Sequence, residues 1–192
     1  MSTSAAPART NVRDLAYISL MAALISVCSW IVIPLGPVPF TLQTFGVFAA
    51  LGLLGGRRGT LAVLLYLLLG LVGLPVFAGF SAGAGALLGV TGGYLLGFLA
   101  SSLVYWAVTD RLGTRLPIAL LAMILGLAAC YAFGTLWFVR VYTSGGNTAT
   151  LLSTLTLCVF PFILPDLIKL GLALLVTRRV GSALNLTSPV KR

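Results

Sequence analysis

The chain has 192 residues, 59% of them apolar and only 8% charged, and Lys and Arg outnumber Asp and Glu by 12 to 3. A soluble domain carries about a quarter charged residues, and a mean hydropathy of +1.11 leaves too little polar surface to face water. A soluble enzyme, a disordered tail and a disulfide-stapled secreted scaffold are excluded together, and the composition describes an integral membrane protein.

A membrane helix needs about 20 mostly apolar residues, so six spans take about 120 and leave about 70 for loops and ends. The apolar runs are continuous, as in Leu61 to Leu69 with Tyr66 its one polar member. A transmembrane barrel would alternate apolar and polar residues, so the spans are predicted to be helices and the fold class all-α. Residues 1–14 form a polar segment with Arg9 and Arg13, residues 15–180 the membrane domain, and residues 181–192 a polar tail.

The first span is expected from Leu15 to Leu35, ending at Pro34-Leu35-Gly36-Pro37. It is too long for the apolar core of a signal peptide and is read as retained. The second, Phe40 to Gly55, is short and stops at Gly56-Arg57-Arg58-Gly59. The third covers Thr60 to Val76 and is followed by an uncharged segment, Phe77 to Gly89. The fourth, Val90 to Val108, stops at Asp110-Arg111 with Arg115 close behind. The fifth covers Leu116 to Val139, and the sixth extends from Thr150 to Val176 and ends at Arg178-Arg179.

Six spans put both termini on one side, and the basic residues sort accordingly. Arg9, Arg13, Arg57, Arg58, Arg111, Arg115, Arg178, Arg179, Lys191 and Arg192 fall on the side of the termini, whereas Arg140 alone falls on the other. Positive charge marks the cytoplasmic face, so both termini are expected to be cytoplasmic. The net charge of +9 is read as topology and contact with anionic lipid headgroups rather than as a nucleic-acid surface. On the opposite face, Gly79, Gly83, Gly85, Gly89, Gly92 and Gly93 crowd one uncharged stretch. Glycine allows positive φ and close backbone approach, which suits a loop folding over a ligand; the alternative is a plain connector.

The inventory excludes most catalysis. There is no His or Glu, and the carboxylates are Asp14, Asp110 and Asp166. Cys28, Cys130 and Cys158 are too far apart in sequence for a zinc or redox pair and are read as packing residues. No metal or cofactor is called for. Gly89 to Gly97 has no Gly-Lys-Ser/Thr ending, so the chain carries no nucleotide motor of its own.

Asp166 and Lys169 lie deep inside the sixth run, where charges are costly and pair or line a polar cavity. Their i, i+3 spacing places them on one helix face. Pro161 and Pro165 precede them and free carbonyls of the previous turn. A carboxylate beside an ammonium suits a neutral ligand that both donates and accepts, such as a cyclic urea. The alternatives are an ion pair that fixes helix packing in a scaffold subunit, or an intramembrane enzyme using Asp166, against which the missing His and Glu argue. On the first span Ser19 and Ala23, with Ala22 adjacent, form a small-xxx-small face suited to close helix contact. Trp30, Phe40, Phe80, Tyr94 and Trp106 are placed near span ends, most in the interface belt and one or two at a pocket wall.

Three segments carry a resemblance. They are Pro37-Val38-Pro39-Phe40-Thr41-Leu42-Gln43-Thr44, Gly89-Val90-Thr91-Gly92-Gly93-Tyr94-Leu95-Leu96-Gly97-Phe98, and Phe162-Ile163-Leu164-Pro165-Asp166-Leu167-Ile168-Lys169. In order, spacing and six-span frame the chain resembles the BioY family, the biotin-specific substrate-binding (S) components of energy-coupling factor (ECF) transporters, over about residues 13–180. It departs where Val90 replaces a family proline and where Leu164-Pro165-Asp166 replaces Pro-Gly-Asp, which alters backbone stiffness beside the presumed site.

The resemblance implies an S-component-like bundle in the plasma membrane of a prokaryote that captures biotin with high affinity. It also implies partners: a transmembrane coupling (T) subunit and cytoplasmic ATPase subunits, with the S component toppling to carry its ligand inward. Asp166 and Lys169 would hold the ureido ring, the glycine-rich loop would close over the pocket with Ser81 as its polar contact, and Gln43, Tyr94 and Phe40 would complete the binding site. Ser19 and Ala23 would contact the coupling subunit. An S component for a different vitamin is the alternative.

Overall fold

The structure is a computed structural model that describes residues 11–34, 38–146, 148 and 150–183. Arg9, Pro37, Lys191, Arg192 and most of the two terminal segments lie outside the described residues. Five helices are long and apolar enough to cross a membrane: α1 (Val12–Trp30), α2 (Gln43–Leu71), α4 (Gly92–Leu112), α5 (Leu116–Ser144) and α7 (Phe160–Ala183). Shorter elements fill the gaps, namely strands β1 (Val32–Ile33) and β2 (Phe40–Thr41), a 3-10 turn at Ala78–Phe80, and helices α3 (Gly83–Leu88) and α6 (Leu151–Cys158).

The second and third predicted spans are the two arms of α2. Gly55 interrupts the helix with φ 78° and ψ 174°, a region of backbone space essentially confined to glycine. Two contacts show that the chain doubles back there. A Cβ built on Gly59 would lie 2.8 Å from the Cα of Leu51, although eight residues of straight helix span about 12 Å. The Gln43 side chain reaches the Tyr66 hydroxyl at 2.8 Å, although 23 residues of straight helix span about 35 Å. The arms, 43–54 and 56–71, therefore lie side by side and antiparallel.

The structure corrects two predicted spans. The first does not continue to Leu35: α1 stops at Trp30, and Val32 and Ile33 pair antiparallel with Thr41 and Phe40. The run Ile31-Val32-Ile33 before Pro34 is β-branched and precedes a proline, and both features favour extended backbone. The sixth is two helices, broken at Val159 with φ −126° and ψ −57°. Pro161 has no N–H with which to continue α6, and it is tolerated in the first turn of a new helix. The glycine-rich segment is likewise more than a loop, since it folds into the 3-10 turn and α3.

The core is built around α2, with Phe48, Leu51, Val63 and Tyr66 fully buried among Ile25 of α1, Phe77, Met123 of α5 and Leu170 of α7. Helices α4 and α5 approach closely through glycine: a Cβ on Gly97 would stand 2.9 Å from the Cys130 sulfur, and one on Gly126 2.9 Å from the Ser101 carbonyl oxygen. Large apolar side chains such as Leu120, Leu136, Leu164 and Leu175 cover the outside. Such a surface would aggregate in water and is at home against lipid.

Asp14, Arg57, Arg58, Arg178 and Arg179 gather at one end. Asp14 of α1 bridges Arg58 just past the α2 turn at 2.9 Å. Gly56 lies against Trp106 near the C-terminus of α4, and Gly52 against Thr177, next to Arg178 and Arg179. The other end of α1 is fixed separately, by a 2.9 Å hydrogen bond from the Trp30 indole to the Pro75 carbonyl. The candidate site residues lie toward this second end.

Candidate functional site

A cavity of about 330 Å³ opens there, between β2, the start of α2, the glycine-rich segment, α4, α5, α6 and α7. Asp166 and Lys169 border it, 4% and 6% exposed, and meet through the i, i+3 spacing of α7. The Lys169 ammonium donates to Asp166 Oδ1 at 2.7 Å and to the Thr41 carbonyl at 2.7 Å. The Tyr131 hydroxyl donates to Asp166 Oδ2 at 2.6 Å. Each carboxylate oxygen thus has one donor and keeps a lone pair for another. The ammonium has engaged two of its three N–H groups, and its nitrogen stands 3.7 Å from the centroid of the Phe40 ring.

Local structure explains these positions. Strand β2 pairs with β1 and points the Thr41 carbonyl at α7 from 128 residues away in sequence. Gln43 opens α2, 3% exposed, and its bond to Tyr66 leaves one amide N–H and its carbonyl oxygen available to the cavity. Pro165 sits inside α7, so the Pro161 carbonyl has no helical N–H above it. Breaking a buried ion pair by removing one partner costs about 3–5 kcal/mol, and here the pair also ties β2 and α5 to α7.

Five of the six expected binding residues border the cavity: Asp166, Lys169, Gln43, Tyr94 and Ser81. Ser81 stands at the exposed rim and donates to the Ala78 carbonyl at 2.8 Å. The Tyr94 hydroxyl lies 3.4 Å from that of Thr135. Phe40 does not border the cavity; it lies behind Lys169, stacked on Phe162 at 6.1 Å between centroids. Ser19 and Ala23 are exposed on α1, whose buried face carries Ala22 and Ile25. Of the aromatics placed near span ends, Tyr94 reaches the cavity, while Trp30 stacks on Phe80 at 5.2 Å.

Sequence reasoning missed Tyr131, a hydroxyl in the middle of an apolar run and thus the same kind of signal as Asp166. It also missed the Thr41 carbonyl, which no side chain could announce. Cys130 and Cys158, read as packing residues, are buried and also line the cavity. Among the described residues no three His, Cys, Asp or Glu groups converge as a metal site would require. The arrangement offers acceptors at Asp166, donors at Lys169 and Gln43, and apolar walls at Phe77, Leu95, Phe98 and Leu127.

Comparison with known proteins gives the following. Residues 1–186 match the family model described as the BioY family. A biotin transporter BioY of Thermotoga maritima is 41% identical over 168 residues, covering 88% of this chain and 95% of that protein. A probable biotin transporter BioY of Pyrococcus horikoshii is 38% identical over 168 residues, covering 88% and 96%. The chain also superposes on the crystal structure of an S-component for biotin from an ECF-type ABC transporter, with a TM-score of 0.80 and 31% identity over 93% of this chain and 95% of that one.

Proposed function

This chain belongs to the BioY family, and from that premise we propose that it is the biotin-binding S component of an ECF-type uptake system. The observation that carries the reading is the buried Asp166–Lys169 pair at the closed end of an apolar cavity. A ureido ring presents N–H groups and a carbonyl side by side. Asp166 has lone pairs left to accept an N–H, and Lys169 and Gln43 each keep a donor for the carbonyl. The thiophane ring and aliphatic chain suit the apolar walls. Tyr94 and Ser81 complete the site, and Phe40 acts from behind, holding Lys169 in place.

In this reading the chain crosses the plasma membrane of a prokaryote six times, with α6 and α7 sharing the last crossing and both termini in the cytoplasm. The antiparallel arms of α2 and the basic character of one end support that topology. Its partners are a transmembrane coupling subunit, met through Ser19 and Ala23, and cytoplasmic ATPase subunits that supply the energy. The chain itself performs no catalysis. The test is a titration of the purified chain with biotin, followed by calorimetry or intrinsic fluorescence. Submicromolar binding is expected, and no binding at micromolar biotin would overturn the assignment.

A further inference from the structure

The corner between α3 and α4 is a type I turn. The Gly92 N–H donates to the Gly89 carbonyl at 3.0 Å, and Thr91 has φ −89° and ψ −6°, the values of the third residue of such a turn. Gly89 and Thr91 both border the cavity. The Thr91 hydroxyl caps no helix N–H and makes no hydrogen bond among the described residues, so it is open to a ligand. Gly89 and Gly92 flank the two central residues of the turn, and glycine gives a backbone little stiffness of its own.

A second hydrogen bond reaches the same carbonyl from another helix. The Trp137 indole N–H of α5 donates to the Gly89 oxygen at 3.0 Å. Trp137 does not border the cavity; it is half-buried behind the turn, with its ring stacked on Phe133 at 6.2 Å between centroids. Glycine sets its place: a Cβ on Gly93 would overlap the Trp137 side chain, and a Cβ on Gly134 would overlap the Tyr94 ring. Each helix therefore seats an aromatic on the other's glycine, and that seat brings the indole N–H to Gly89. A tryptophan that served only as an interface anchor would turn its N–H to headgroups and water. This one gives it to the turn.

On the biotin reading, which this inference requires, we infer that Trp137 is a positioning residue of the binding site. It acts from outside the cavity by clamping the Gly89–Gly92 turn, and so holds the Thr91 hydroxyl at the wall for a polar atom of the ligand. Stiffness within the turn itself can replace such a clamp. Val90 is the second residue of the turn, where proline is favoured, and its N–H donates no backbone hydrogen bond among the described residues. Gly89 is extended, with φ −68° and ψ 179°, as a residue before proline prefers to be. Val90→Pro thus fits the existing backbone.

The experiment is saturation binding of radiolabelled biotin to the full chain in lipid nanodiscs, which yields the affinity and the number of sites separately. Trp137→Phe keeps an aromatic ring on Gly93 and removes the N–H. It is expected to weaken affinity at least fivefold, the size of one lost hydrogen bond, with the number of sites unchanged. Adding Val90→Pro is expected to bring the affinity back to within twofold of the parent. In a Thr91→Val background the same Trp137→Phe change is expected to weaken binding less than twofold further, since both act through one hydroxyl. Three results would each overturn the inference while leaving biotin binding intact: unchanged affinity in Trp137→Phe, no recovery with proline, or a loss as large in the Thr91→Val background as in the parent. Fewer sites at unchanged affinity would make Trp137 a folding residue and overturn it too. No saturable binding by the parent would overturn the functional reading itself, and this inference with it.

Discussion

Asp166 is held from two sides. Lys169 takes one oxygen, Tyr131 takes the other, and the lone pairs that remain are free for a ligand. Its pairing with Lys169 could be read from sequence, because a charge in an apolar run has few ways to exist. The anchoring of Lys169 to the Thr41 carbonyl could not, because a backbone acceptor leaves no mark on residue identity. Asp166→Asn preserves the shape but turns one acceptor into a donor and leaves the Lys169 ammonium uncompensated. Biotin affinity is expected to fall at least tenfold, or about 1.4 kcal/mol, with circular dichroism and elution profile unchanged. Unaltered affinity in calorimetry would return the pair to a purely packing role.

At the scale of elements, the backbone specials matter more than the helix propensities. Gly55 turns α2 back on itself with φ 78°, and the sequence announced the turn through Gly55-Gly56-Arg57-Arg58-Gly59. The break at Val159 was announced as well, by Pro161, but the unbroken apolar character of 150–176 masked it. Hydropathy reports where lipid is tolerated and is silent on where the backbone bends. A Cβ on Gly55 meets nothing within 4 Å, so Gly55→Ala should destabilise through backbone strain alone, by about 1–3 kcal/mol. Gly171 has equally open space and lies within α7 without a positive φ, so Gly171→Ala should be neutral or slightly stabilising. Thermal unfolding in detergent compares the two. Equal melting temperatures would show that the Gly55 turn is not strained by a side chain.

Over the whole molecule, the two ends differ in charge. The basic end gathers Asp14, Arg57, Arg58 and the C-termini of α4 and α7, while the other end holds the cavity and its Asp166–Lys169 pair. No residue of α1 lines the cavity, so changes on the outer face of α1 should leave the ligand site intact. Ser19 and Ala23 are exposed there and make room for a second helix to approach closely. Ser19→Trp and Ala23→Trp are each expected to abolish cellular biotin uptake while the purified variants bind biotin within twofold of the parent. Normal uptake by both would remove this face from coupling.

By itself the sequence determined the class, the order of the apolar runs, the sorting of the basic residues and the existence of a deep Asp–Lys pair. All of these follow from the cost of placing charge and unpaired amides in lipid, a cost that any single residue reveals by its type. Tertiary structure alone decided what meets the pair. It brought the Thr41 carbonyl and the Tyr131 hydroxyl to α7 from two other elements, set the Gln43 amide in the same cavity, and left Phe40 against the Lys169 ammonium and outside the cavity lining. Hydrogen bonds have direction and short range, so the partners of a buried charge depend on the path of the chain in space, which residue type does not record.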